Sequence, residues 1–211
     1  MLEVWGRANS VNVQKVLWCL GELGVRFERR DVGGLYGGNR EPGYLTRNPT
    51  GLVPMISDDG FDLWESNAIV RYLGARYGAG MLWPEDPASR ALADKWMDYQ
   101  LGTVFPAFKG ALLGLVRTPE GDRDPASIAA SARATAKILT TLDRELADRK
   151  LVAGDALTVG DIALGPIVYR WLNLEIKRPS LPNLEAWHDR LSGRPAYRQH
   201  VMVSFAMETP G

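Results

Sequence analysis

Gly51-Leu52-Val53-Pro54-Met55-Ile56, followed shortly by Trp64-Glu65-Ser66-Asn67-Ala68-Ile69, decides how this chain reads. Proline has no N–H to give a central sheet ladder, so Val53-Pro54 is out of place within a strand. The pair predicts a tight cis bend that leaves the backbone N–H and C=O of Val53 facing outward. A residue presented in that way can pair with an extended peptide as though it were another strand. Glu65-Ser66 opens a segment whose apolar residues Ile69, Tyr72 and Leu73 keep helical spacing, which puts the two at a helix N-terminus. Backbone N–H groups and the helix dipole favour a carboxylate there. A peptide-pairing edge beside an anion-binding helix end implies a small peptide ligand with a free carboxylate.

Around these motifs the first part of the chain alternates strand and helix. Residues 2–5 form a brief apolar strand, and Val13, Val16, Leu17, Leu20 and Leu23 follow a helical spacing ended by Gly24. Residues 27–32 read as a second strand, and the Gly-rich stretch 33–38 reads as a loop. Residues 54–57 and 61–63 form a hairpin about Asp58-Asp59-Gly60, and a helix over 65–77 closes the unit. The predicted order is β-α-β-(loop or α)-β-β-α.

From residue 88 onward no strand is predicted. Helical patterns cover 88–116, 125–148 and 158–173, the first two separated by Thr118-Pro119-Glu120-Gly121-Asp122. The Gly- and Pro-rich residues 79–87 serve as linker, so the expected division is an α/β domain at 1–78 and an all-helical one at 88–211. Thr158-Val159-Gly160-Asp161 is a capping-box variant flanked by Leu157 and Ile162 as a hydrophobic staple. Pro166 falls inside the helix that this box starts, where it is expected to kink it near Ile162.

Bulk properties narrow the function. The 211 residues hold 25 basic and 25 acidic side chains, and this balance argues against nucleic-acid or membrane-surface partners. A single cysteine, Cys19, permits no intrachain disulfide, and no apolar run approaches a membrane span. The opening residues lack the pattern of a signal peptide, so a cytoplasmic protein is expected. His188 and His200 lie far apart without an acidic or cysteine cluster, so no metal site is predicted.

Taken with Gly6-Arg7-Ala8-Asn9-Ser10-Val11-Asn12, the Val-Pro and Glu-Ser motifs resemble the cytosolic glutathione transferases, in particular bacterial, serine-type, theta-like members. The likeness covers nearly the whole chain, at motif level in the first half and as a helical pattern in the second. It implies a thioredoxin-like first domain, glutathione as co-substrate, no metal, and a homodimer. On the family pattern Val53, presented by Pro54, pairs with the cysteinyl backbone of glutathione. Glu65 takes the γ-glutamyl ammonium, Ser66 takes the carboxylate, and Asp98 reaches the γ-glutamyl end across the dimer. Leu52 departs from that pattern, since many relatives have Lys, Arg or Gln there, which shifts the glycyl carboxylate to Arg40 or Asn39.

Ser10 and Asn12 both occupy the turn before the first helix, where Ser and Asn are also ordinary helix caps worth about 1 kcal/mol. A free thiol, with a pKa near 8.5, is mostly protonated at neutral pH. Lowering its pKa by about two units takes roughly 2.7 kcal/mol. One charge-assisted hydrogen bond plus the helix dipole can supply that. Either residue qualifies as the donor; Ser10 fits the serine-type pattern. Cys19 lies beyond the first helical turn and reads as core filler. The expected reaction is attack of the glutathione thiolate on a small apolar electrophile held near Thr103, Phe105, Phe108 and Leu112. Two alternatives stand: a glutathione-dependent disulfide reductase or peroxidase, and a non-catalytic binding or interaction module.

Overall fold

The computed structural model describes residues 1–205. The last six positions of the expected second domain lie outside the described residues. Strands β1 (Leu2–Trp5) and β2 (Phe27–Arg30) run parallel on either side of helix α1 (Val11–Leu23), with Leu2 opposite Phe27. Helix α2 (Pro42–Arg47) follows, and then β3 (Met55–Asp58) and β4 (Phe61–Trp64) form an antiparallel hairpin. Strand β3 pairs antiparallel with β1, Val4 opposite Ile56, so the sheet order is β2-β1-β3-β4. Helix α3 (Ser66–Tyr77) closes the unit. This is the predicted α/β arrangement of thioredoxin-like type, with the loop-or-helix connection resolved. Gly34–Tyr36 make one tight turn, and α2 starts at Pro42, whose fixed φ and missing N–H suit a first helical turn.

The rest is helical, as expected: α4 (Pro87–Tyr99), α5 (Phe105–Val116), α6 (Pro125–Glu145), α7 (Val159–Asn173), α8 (Pro182–Ser192) and α9 (Pro195–His200). Two details differ from the sequence reading. The helix expected over 88–116 is split by one wide, π-type turn at Gln100–Val104. Pro106, which lacks an N–H, sits in the next turn and cannot complete an α-pattern bond to the turn before it. Within the expected all-helical region the sequence reading drew no bounds for α8 and α9; each opens on a proline that reads locally as a break.

Helix α1 joins the two halves. Val13 through Leu20 are all buried, because α3, α7 and α9 pack around them. A helix buried on all sides belongs inside a protein, and here Gln14 and Lys15 are buried with its apolar residues. Helix α7 is nearly as buried and runs uninterrupted through Pro166. At its start the carboxylate of Asp161 accepts the backbone N–H groups of Thr158 and Val152, both at 3.0 Å, and the Trp187 indole at 2.9 Å. Leu157 and Ile162 are buried beside it, as the staple requires. The box thus ties α7 to α8 and to the loop before it.

Candidate functional site

Ser10 stands at the N-cap of α1 and is 8% exposed, but its hydroxyl makes no capping hydrogen bond. The expected cap is therefore positional only. The hydroxyl faces a cavity of about 380 Å³ between the two halves, lined also by Asn12, Leu52 and Val53. Residues from two motifs far apart in the sequence thus meet at one place.

The loop before β3 is held by α2 and its flanks. The carbonyl of Leu52 accepts the Tyr44 hydroxyl at 2.6 Å and the Asn48 amide at 2.8 Å. The Asn39 amide donates to the Gly51 carbonyl at 2.7 Å. Arg40 lies close over Gly51, where a Cβ would come within 2.6 Å of its Nη1 and φ is +61°. Only glycine suits that position. The Val53–Pro54 bond is cis, as the sequence predicts. Among the described residues no hydrogen bond engages the Val53 backbone N–H or C=O.

Glu65 precedes α3 with φ 72° and ψ 110°, a left-handed value for a side chain that gains nothing from it locally. Strain of this kind, on the order of 1–3 kcal/mol, collects at functional sites. Ser66 begins the helix and is buried. Beneath it lies Lys15 of α1, which sequence reasoning missed. Its ammonium is wholly buried and donates to Gln100 Oε1 at 2.6 Å, Asn67 Oδ1 at 3.1 Å and, more weakly, Ser66 Oγ at 3.4 Å. Burial lowers its pKa to about 7, with Glu65 opposing that shift. Gln100 reaches the lysine from the wide turn after α4. A sequence signal existed: Val11, Lys15 and Cys19 fall on one face of a buried helix.

The remaining expected residues divide. Phe105 and Leu112 line the cavity beside Ser10; Thr103 and Phe108 do not. Phe108 is fully buried against Trp171, so its aromatic ring is core. Asp98 is exposed and bonded to Arg71 at 2.6 Å. Cys19 is fully buried and burial pushes its thiol pKa far up, so it is inert filler as expected. His188 stacks on Tyr169, and burial lowers its pKa. Also missed were Arg7, Lys109, Arg117 and Arg170, all of which line the cavity.

Comparison with known proteins identifies the family. Residues 1–75 match the glutathione S-transferase N-terminal domain family, and residues 92–195 match the C-terminal domain family. The chain is 47% identical over 205 residues to glutathione S-transferase GstB of Escherichia coli K12, covering 96% of this chain and 99% of that one. Against glutathione S-transferase 3 of Zea mays it is 30% identical, covering 95% and 93%. The crystal structure of a theta class glutathione S-transferase from Xanthomonas axonopodis pv. citri with glutathione bound superposes with a TM-score of 0.94. That pair is 46% identical over 97% of this chain and 99% of the other. The fold is that of a transferase with a thioredoxin-like N-terminal domain and a helical C-terminal domain. This chain belongs to the glutathione S-transferase family, and its co-substrate is glutathione.

Proposed function

We propose that this enzyme conjugates glutathione to a small electrophile in the cavity between its two domains, 1–78 and 88–211, joined by 79–87. One observation carries this reading: the unengaged Ser10 hydroxyl and the unpaired Val53 backbone face one cavity. The cysteinyl residue pairs with Val53, which brings its sulfur to the start of α1. There the Ser10 hydroxyl and the helix N-terminus stabilise the thiolate, with Asn12 as the rival donor. Glu65 takes the γ-glutamyl ammonium, and Ser66 with its own N–H takes the carboxylate. Arg40 or Asn39 reaches the glycyl end. Lys15, under Ser66, orients that hydroxyl. The electrophile rests on Phe105 and Leu112.

The protein acts as a cytoplasmic homodimer in detoxification, with Asp98 near the partner's glutathione; among the described residues no helix is long and apolar enough to cross a membrane. Glutathione-dependent turnover of a chlorinated nitroaromatic, measured beside cumene hydroperoxide and a disulfide, tests the reaction class. Conjugation dominating supports the reading. Peroxide or disulfide reduction dominating overturns it, as does glutathione binding without any turnover. Cys19 cannot serve as a protein thiol for disulfide exchange, since it is wholly buried.

A further inference from the structure

Four cationic side chains line the cavity beside Ser10, namely Arg7, Lys109, Arg117 and Arg170, and among the described residues no acidic one does. Arg170 is 2% exposed and occupied with neutral oxygens: it donates to Gln14 Oε1 at 2.6 Å and to the Asn9 carbonyl at 2.8 Å. Its guanidinium also lies 5.3 Å over the Phe205 ring. Arg7 is half-buried, lodged against Gly33 and Gly34, and among the described residues it has neither a hydrogen bond nor an ion-pair partner for its guanidinium. Asp31, which lines a neighbouring cavity together with Arg7, is bound by Arg29. Arg117 is exposed and its side chain is likewise unpaired among the described residues.

Other partly buried arginines all have acceptors: Arg90 and Arg123 donate to backbone carbonyls, and three more meet carboxylates. Arg47 meets Asp62 at 2.6 Å, Arg71 meets Asp94 at 2.6 Å, and Arg194 meets Glu22 at 2.6 Å. Repulsion within the cluster is felt: burial and the Arg117 charge lower the pKa of both Arg7 and Arg170. A half-buried cation without a counter-ion, as Arg7 is, is unfavourable, and an anion in the cavity would complete it with Arg117 at hand. Arginine also suits a carboxylate geometrically, because its planar fork donates two parallel bonds.

Building on the conjugation reading, we propose that the second substrate carries an anionic group, a carboxylate, which Arg7 and Arg117 bind at the cavity mouth. Its apolar body lies on Phe105 and Leu112, and its electrophilic carbon faces the sulfur at Ser10. In the step itself the sulfur forms a C–S bond, the leaving group departs with its bonding pair, and the thiol proton passes to solvent. Nothing is oxidised or reduced.

Two probes of one shape test this, 4-chloro-3,5-dinitrobenzoate and the corresponding benzamide. Each kcat/KM is divided by the uncatalysed rate constant with glutathione, which removes the difference in ring activation. The benzoate is expected to be favoured by about tenfold or more, as a charge-assisted bond allows. In Arg117→Gln and Arg7→Gln that ratio should collapse toward one, mainly through KM for the benzoate. Equal normalised values in the parent enzyme overturn the proposal and leave the conjugation reading standing. A parent preference that both variants retain also overturns it. So does a variant in which both substrates fall alike, since the cations then act on the thiolate. If Arg7→Gln keeps the ratio but weakens S-methylglutathione binding, Arg7 holds the glycyl carboxylate and its role here is refuted. Turnover of neither probe overturns the conjugation reading together with this one.

Discussion

Lys15→Met removes the buried ammonium while keeping a side chain of similar length, and its consequence is read from pH dependence. Lysine titrates at 10.5 in the unfolded chain, whereas burial holds Lys15 at about 7 in the folded protein. Between those values the unfolded state binds a proton that the folded state has given up. Stability therefore rises with pH across this window, and below about pH 7 the term is constant. The slope approaches about 1.4 kcal/mol per pH unit, and integrating from pH 7 to 9 gives a gain of about 2 kcal/mol. Urea unfolding of both proteins over that range, at fixed ionic strength, isolates this contribution as the difference in slope. Stopping at pH 9 avoids the ionisation of tyrosines such as Tyr72, held at about 12. The N-terminal amine and Arg170 also titrate differently on folding, but both are common to the two proteins and cancel. Absolute stability is not the measure, since the variant leaves Gln100, Asn67 and Ser66 without their shared donor. Parallel pH profiles would refute the burial argument. A lysine charged at neutral pH in both states contributes no difference in slope.

The parts of the fold written in local chemistry were legible. Val53-Pro54, the Asp58-Asp59-Gly60 turn and the Thr158–Asp161 box each have a meaning set by neighbours a few residues away, and each forms as read. The wide turn at Gln100–Val104 was not legible, because its cause lies in a proline that looks like an ordinary first-turn residue of the next helix. Phe105 and Phe108 show the limit of periodicity. Both are aromatic, three positions apart on one helix, yet one lines the cavity and the other packs on Trp171. Which of two adjacent directions faces a partner helix is fixed only by tertiary packing. Charged site residues were missed for a related reason. Lys15 and Arg170 sit in apolar helices where a charge is costly, and such a charge signals function only when its burial is known.

Three other outcomes follow from the geometry. Ser66→Ala removes a hydrogen bond to a charged ligand end, worth about 1.5–3 kcal/mol, so calorimetry should show glutathione affinity falling roughly tenfold or more; unchanged affinity places that end elsewhere. Gly165→Ala would set a Cβ 2.5 Å from a ring carbon of Trp18 and 2.9 Å from one of Tyr197, both fully buried. The overlap should cost about 1–3 kcal/mol and lower the melting temperature by several degrees, and an unchanged melt contradicts the packing described. Ser10→Ala separates chemistry from capping. Because the Ser10 hydroxyl makes no cap bond, the melting temperature should hardly move. If that hydroxyl instead donates to the thiolate, kcat should fall by about 10²-fold, and the acidic limb of the pH–rate profile should shift upward as the bound thiol becomes harder to ionise. Asn12→Ala is the control on the same turn, one residue into α1. A larger rate loss there, with the Ser10→Ala profile unmoved, transfers the role to Asn12, because only the true donor changes the pKa of the sulfur it touches.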